Sequence, residues 1–299
     1  MAKVLICDPV DAQAVDAMRE AGVVVDVRDT ITLDELEQVI GEYDGIVVRS
    51  RTKVRAPLLE NPGNLKLIVR GGVGLDSIDV AVAESKGVKV ANTPAASSNA
   101  VAELVLGMML SLARNLAWAD ASMKAGKWEK KKLKGTEIAG KTLGIIGYGR
   151  IGRLLAEKVR ALGMTVVAYD PYIDDDDLVT LEELLSVADY VSLHIPHTAE
   201  THNLLGATQF ALMKPGACVV NAARGGTVDE DALYATLVSG HLAGAALDVF
   251  TEEPPQSEAL HKLVALPQVV ATPHIGAATF EAQERIGGEI VNLVKTYLG

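Results

Sequence analysis

Short apolar runs alternate with stretches of helical periodicity from one end of the chain to the other, the pattern of repeated βαβ units. In the first third, strands are expected at KVLIC (3–7), GVVVDV (22–27), GIVVRS (45–50), KLIVR (66–70) and GVKVAN (87–92). Between them, DAQAVDAMREAG (11–22) closes on Gly22 as a helix C-cap does. In TLDELEQVIGEYD (32–44), Leu33, Leu36, Val39 and Ile40 share one helical face. Residues 92–128 break the rhythm. A Pro- and Ser-rich opening leads into a long, mostly apolar helix over 97–118, and a domain junction is expected there. Six more strands follow, at TLGIIG (142–147), TVVAYD (165–170), DYVSLHIP (189–196), ACVVNAARG (217–225), GAALDVF (244–250) and QVVATPH (268–274). Six is the count of a complete Rossmann domain. The last stretch, 280–299, reads as a helix returning to the first domain. The expected fold is α/β: two Rossmann-like or flavodoxin-like domains, each a parallel sheet flanked by helices, with a cleft between them. Residues 1–95 plus 280–299 form a discontinuous domain and 96–279 a continuous one.

Composition narrows the partners. The 299 residues are 49% hydrophobic but only 4% aromatic, so Val, Ala, Leu and Ile fill the core, as suits buried parallel strands. A net charge of −11 argues against nucleic acid or an anionic membrane as general partners. The local exception, KAGKWEKKKLKG (124–135), reads either as a solvated helix end and loop or as a patch that meets an anion. The two cysteines, Cys7 and Cys218, lie in separate apolar runs. They read as buried free thiols in a reducing compartment, and no metal site is expected. The N-terminus lacks signal-peptide organisation, and VAELVLGMMLSLA (101–113) is short of a membrane span and carries Glu103. A cytoplasmic protein is expected.

The spacing Gly147-x-Gly149-x-x-Gly152 is weak alone, because glycines are common. Here a strand precedes it, a helix follows it, and the next strand ends on Asp170, close to the spacing of about 20 expected of a ribose-binding acid. Gly147 permits the turn, Gly149 lets backbone approach a pyrophosphate, and Gly152 brings helix and strand together, with the phosphates at the helix N-terminus. Asp170 would accept from ribose hydroxyls and repel a 2′-phosphate. With no Arg or Lys beside it, NAD is favoured over NADP. The alternative is a Rossmann domain serving another ligand.

Ligands of open α/β sheets bind beyond the carboxyl ends of the strands. Those ends carry His194, Asn221 to Arg224, Asp248 with Glu253 close behind, and His274. An Arg, a Glu and a His on one sheet edge suit interconversion of a 2-hydroxy acid and a 2-keto acid. Arg pairs with the carboxylate and polarises the carbonyl, His exchanges the hydroxyl proton, and Glu orients the ring. Position does not choose between His194 and His274, and Glu253 also reads as a solvated turn residue.

At these residues the chain resembles the D-isomer-specific 2-hydroxyacid dehydrogenase family along its whole length. IIGYGRIG, NAARGGTVDE (221–230), LDVFTEEP (247–254) and PHIGAAT (273–279) match its signature blocks in order. The resemblance implies His274 as acid/base, Glu253 as its carboxylate partner and Arg224 as the substrate-binding arginine. It implies NAD contacts at Arg150, Ile151, Asp170, Ile195, Ala222, Asp248, His274 and Gly276 besides the three glycines. Val73 stands in RGGVGLD where some relatives have Thr, so a side-chain bond at that cofactor position is in doubt.

VVRSRTKV (47–54) resembles the family's phosphoglycerate-oxidising branch. Arg49, Arg51 and Lys53, spaced by two, would share one side of an extended strand, and Arg70 precedes the loop of Gly71, Gly72 and Gly74. Arg49, Ser50, Arg51, Arg70, Gly71 and Gly72 are therefore the candidate substrate-binding set, for a small anion carrying carboxylate and phosphate. The alternative is a solvated positive edge. The implied reaction is oxidation of 3-phospho-D-glycerate to 3-phosphohydroxypyruvate, the first step of serine biosynthesis. Its rivals are glyoxylate or hydroxypyruvate reduction, and a non-catalytic NAD-sensing scaffold. The family further suggests a homodimer through the NAD-binding domains. Ending at Gly299, the chain is expected to lack a serine-binding regulatory module.

Overall fold

The computed structural model describes residues 1–173, 175 and 177–299. It divides into two compact units, Met1–Ser98 with Ala277–Gly299, and Asn99–Gly276. The sequence expectation puts the junctions at 95/96 and 279/280, three residues away from these in each case.

Unit 1 runs β1 (Lys3–Ile6), α1 (Ala12–Glu20), β2 (Val24–Val27), α2 (Leu33–Val39), β3 (Gly45–Val48), β4 (Leu67–Arg70), α3 (Val80–Ser85) and β5 (Lys89–Asn92). The strands form one parallel sheet in the order β2-β1-β3-β4-β5, the flavodoxin-like arrangement. Alternate faces of these strands feed two cores. Leu5, Ile46, Val48 and Ile68 pack with Leu36 and Ile40 on one side, while Val4, Ile6, Val47, Leu67 and Val69 face the other.

Unit 2 begins with α4 (Ser98–Arg114) and α5 (Leu116–Lys124). The single helix expected over 97–118 is broken: Asn115 takes φ +53 and the two helices meet at 68°. Asn tolerates the left-handed conformation through its short polar side chain, so the break needs neither Gly nor Pro. Among the described residues no single helix is long and apolar enough to cross a membrane. The apolar face of α4 is core, with Val101, Ala102, Val105, Met108 and Met109 buried beneath the sheet.

The remainder is β6 (Thr142–Ile146), α6 (Arg150–Ala161), β7 (Thr165–Tyr169), α7 (Leu181–Val187), β8 (Tyr190–Leu193), α8 (Ala207–Leu212), β9 (Cys218–Asn221), α9 (Glu230–Val238), β10 (Gly244–Leu247), α10 (Glu258–Val264) and β11 (Val269–Ala271). The six strands are parallel, in the order β11-β10-β9-β8-β6-β7. The chain reverses direction across the sheet between β6 and β8, so the carboxyl ends of those strands flank the crevice where such sheets take ligands. The last helix, α11 (Phe280–Leu298), belongs to unit 1 and buries Ile286, Ile290, Val291 and Val294.

Candidate active site

The glycine loop sits at the switch between β6 and β8. Gly147 has φ +94, and a Cβ there would lie 2.6 Å from His194 O. A Cβ on Gly152 would lie 2.5 Å from Gly147 O, so helix α6 reaches β6 only without a side chain. Gly149 differs: a Cβ on it would meet nothing within 4 Å. Packing gives no reason for that glycine, whereas an approaching ligand does. Gly149 also caps α6 without a side-chain hydrogen bond, so the first-turn N–H groups of Arg150, Ile151 and Gly152 face outward at the positive end of a twelve-residue helix.

Asp170 lies just past β7, and both its oxygens are oriented by backbone. Oδ2 accepts the Tyr148 N–H at 2.9 Å and Oδ1 the Tyr172 N–H at 3.0 Å. Each oxygen retains a lone pair for an outside donor such as a ribose hydroxyl. These residues fit a dinucleotide: a backbone opening for pyrophosphate and an oriented carboxylate beside it.

At the other side of the sheet, β9 to β11 bring three side chains together. His274 Nδ1 lies 2.8 Å from Glu253 Oε2, with both side chains well exposed, at 44% and 37%. Glu253 Oε1 accepts the Phe250 N–H at 3.2 Å, so the carboxylate is held from both ends. Burial pushes the Glu253 carboxyl up. The hydrogen bond and charge of His274, the Phe250 N–H and the charge of Arg224 outweigh it and leave the group below the ordinary Glu range. Arg224 is thus electrostatic neighbour to the pair.

His274 has φ +53, an unusual backbone for a residue with a side chain, and the surrounding bonds hold it there. Its N–H is donated to Asp248 O at 2.9 Å. The fully buried Asp248 carboxylate accepts from Thr272 Oγ1 at 2.6 Å, Ile275 N–H at 2.8 Å and Gly276 N–H at 2.9 Å. Asp248, expected beside the cofactor, spends both oxygens on the loop that carries His274. Gly276 is buried because a Cβ would press on Asp248 Oδ2 and Val101, each at 3.2 Å.

His194 is a different kind of histidine. Its Nε2 pairs with buried Ser192 Oγ at 3.0 Å, and its Nδ1 is sealed from solvent. Burial pushes its pKa down to about 4, so it is neutral at ordinary pH and faces no carboxylate. Ile195 follows it, half-buried at the switch.

The Arg224 loop is built by two buried polar groups: Asn221, which the sequence placed at the strand end without a role, and Thr227, which it did not flag. Asn221 Nδ2 donates to Arg224 O at 3.0 Å and to Thr227 Oγ1 at 3.2 Å, and Thr227 Oγ1 donates to Arg224 O at 2.7 Å. Ala222 and Ala223 are half-buried on the way out of β9, and Ala223 O takes Arg224 Nη1 at 2.6 Å. Gly225 is obligatory, since a Cβ on it would collide with Phe250 O.

The candidate substrate set lies in unit 1 and resolves into unlike residues. β3 stops at Val48, and residues 49–53 bend instead of extending, so the alternation expected for Arg49, Arg51 and Lys53 does not occur. The cause is Asp8, 1% exposed, which accepts the Arg49 N–H, the Thr52 N–H at 3.2 Å and Thr52 Oγ1 at 2.8 Å. Arg51 is turned inward. Its Nε meets Asp8 at 2.9 Å, Nη1 meets Ile31 O at 2.9 Å, and Nη2 meets Asp29 O at 2.9 Å and also Cys7 O. Four of the five guanidinium N–H groups are thereby used within the unit.

Arg49, half-buried, donates through Nη1 to Gln283 Oε1 and to Pro9 O at 3.4 Å, while Ser50 is exposed. Arg70 folds over its own loop, with Nη1 3.4 Å from Gly71 O and in the space a Cβ on Gly72 would need. The Gly71 N–H goes to Val48 O at 2.9 Å. Val73 is 37% exposed and its carbonyl accepts from Asn92 Nδ2. Among the described residues no group of three or more His, Cys, Asp or Glu is disposed to hold a metal.

Comparison with known proteins falls on the same blocks. Residues 106–276 match the family described as D-isomer specific 2-hydroxyacid dehydrogenase, NAD binding domain. The hydroxypyruvate reductase of Thermotoga maritima is 48% identical over 99% of this chain and 98% of its own length. The D-3-phosphoglycerate dehydrogenase of Methanocaldococcus jannaschii is 45% identical over 100% of this chain, which spans only 58% of that protein. Among solved structures, a D-lactate dehydrogenase from Aquifex aeolicus, complexed with NAD and lactic acid, superposes with a TM-score of 0.86 at 31% identity. It covers 99% of this chain and 95% of its own.

Proposed function

Because the chain belongs to the D-isomer specific 2-hydroxyacid dehydrogenases and is an NAD-dependent D-2-hydroxyacid dehydrogenase, we propose that its substrate pair is D-glycerate and hydroxypyruvate. NAD, when bound, supplies the hydride acceptor, and the chain's own residues do the rest. Arg224 pairs with the substrate carboxylate. His274, with Nδ1 committed to Glu253, uses Nε2 to take the hydroxyl proton in oxidation and to return it in reduction. Glu253 fixes the ring and stabilises the imidazolium that forms. His194, neutral and sealed, is left out of the proton path.

The observation that favours an unphosphorylated substrate is the inward commitment of Arg51, which removes one cation from the expected phosphate cluster. A second reading, 3-phospho-D-glycerate as substrate, is favoured by Arg49 beside exposed Ser50 at the carboxyl end of β3. The enzyme works as a homodimer through its NAD-binding units, where Leu110, Leu116 and Met123 leave α4 and α5 with exposed apolar surface. Following NADH consumption with hydroxypyruvate, 3-phosphohydroxypyruvate and glyoxylate side by side tests the substrate. The highest kcat/KM is expected with hydroxypyruvate. A tenfold preference for the phosphorylated acid would give the second reading precedence, and no rate with any would sink both.

A further inference from the structure

The segment after Arg224 reaches a second catalytic loop. Asp229 caps α9 by accepting the Ala232 N–H at 3.0 Å, and Glu230, the first residue of the helix, sends its carboxylate elsewhere. Glu230 Oε1 accepts the Thr251 N–H at 2.9 Å. Thr251 follows Phe250, whose N–H is held by Glu253 Oε1 at 3.2 Å, and Glu253 Oε2 in turn holds His274 Nδ1 at 2.8 Å. Gly225 presses on the same turn through its contact with Phe250 O. A chain of hydrogen bonds thus runs from α9 to the imidazole, and the reaction as derived above makes no use of its first link.

We infer that Glu230 is a positioning residue for the His274–Glu253 pair. Its carboxylate fixes the 250–253 turn, so that Glu253 presents Oε2 to Nδ1 in the orientation proton transfer needs. The inference rests on the reading of that pair as the acid/base. Glu230 opens onto its own cavity of about 330 Å³, where the titratable groups facing it are Asp229 and Asp231 from α9, Glu252 from the turn and His202 from the segment after β8. Burial pushes the Glu230 carboxyl above the ordinary Glu range, Asp231 and Asp229 add to this, and the Thr251 hydrogen bonds oppose it. Glu253 is displaced the other way. As pH falls, Glu230 is therefore protonated before Glu253, and its protonated carboxyl still keeps a carbonyl oxygen for the Thr251 N–H.

Steady-state kinetics on the intact enzyme with hydroxypyruvate and NADH, between pH 4 and 8, decide it. Glu230→Ala is expected to lower kcat about tenfold, the scale of a small misplacement of catalytic groups, with KM and NADH affinity within about twofold. Glu230→Gln keeps an acceptor oxygen and does not ionise. It should restore most of kcat and leave the acid limb of the kcat profile where it is in the wild type. Wild-type kcat and pH profile in Glu230→Ala overturn the inference, as does a loss confined to KM. If the alanine variant does not fold, Glu230→Asp, whose carboxylate falls one methylene short of the Thr251 N–H, takes its place, and a wild-type kcat there overturns the inference alone. His274→Ala, run alongside, separates the two readings. Activity surviving in that variant removes the acid/base assignment, whereas a dead His274→Ala beside a normal Glu230→Ala removes only the positioning role.

Discussion

Arg51→Ala asks whether this guanidinium is a brace or a substrate anchor. Its Nε pairs with an Asp8 carboxylate that is 1% exposed, and its Nη groups tie together three backbone carbonyls at Cys7, Asp29 and Ile31. Breaking a buried ion pair by removing one partner costs about 3–5 kcal/mol. That is an upper bound here, because Asp8 keeps the Arg49 and Thr52 N–H groups and the Thr52 hydroxyl. The arginine side chain is also 48% exposed, so solvent screens the pair. The expected loss is about 2 kcal/mol, a fall in Tm of roughly 5–8 °C. Thermal melts followed by circular dichroism give the stability, and NADH-coupled rates with hydroxypyruvate and 3-phosphohydroxypyruvate give the KM values. A brace lowers Tm and leaves the ratio of the two KM values unchanged. The reasoning is refuted by an unchanged Tm together with a tenfold rise in KM for the phosphorylated substrate alone.

Three further outcomes follow from the same geometry. Gly149→Ala should fold with wild-type Tm yet bind NADH at least tenfold more weakly by fluorescence titration, whereas Gly147→Ala, at φ +94 and against His194 O, should lose stability. NADH binding unaltered in Gly149→Ala would rule out the cradle. Burial holds His194 near about 4, below the 6.5 of an unfolded histidine, so the unfolded chain takes up the proton first. Stability should therefore fall as pH drops from 6.5 to 4, by up to about 3 kcal/mol, and His194→Asn should flatten that slope in urea melts. A slope unchanged in the variant contradicts it. Gly225→Ala, whose Cβ would enter Phe250 O, must push apart the Arg224 and Glu253 loops. Its kcat/KM should fall at least about a hundredfold while NADH still binds, and a mild loss would mean the two loops are not in register.

All eleven strands among the described residues were legible, because apolar runs between amphipathic helices admit few other arrangements. The residues at their carboxyl ends were legible too, but not how the chain turns there. The runs read at β8, β9 and β10 extend to Pro196, Gly225 and Phe250, yet the strands stop at Leu193, Asn221 and Leu247. An apolar or small residue past a strand end looks like one more strand position. The same blindness misjudged Arg51. A spacing of two implies one side only while the backbone stays extended, and Asp8, 44 positions away from Thr52 in the chain, bends it. Asp8, Thr227 and Glu230 went unnoticed, and Asn221 was given no role, because a lone polar residue at a strand or helix end looks like any solvated one. What marks them is the company they keep in three dimensions. Position and chemistry singled out Arg224, Glu253 and two histidines, and the family resemblance chose between the two; geometry adds that His194 is sealed while His274 is exposed and held by Glu253.

Helix α11 also bears on how the chain is made. Val4, Ile6, Val47, Leu67 and Val69 form one face of the first sheet, and Ile286, Ile290 and Val294 pack with them, while a Cβ on Gly287 would press on Ala14 of α1. Ribosomes deliver that helix only after all of unit 2 has emerged. Until then only α1, through Ala14, Val15 and Met18, covers that face of the first sheet, and the second unit, contiguous in sequence, is free to close ahead of it. Vectorial synthesis thus reverses the order of the two units: the sheet of residues 3–92 is translated before unit 2 and sealed after it, and a nascent chain stalled before Phe280 would present a ready surface to chaperones.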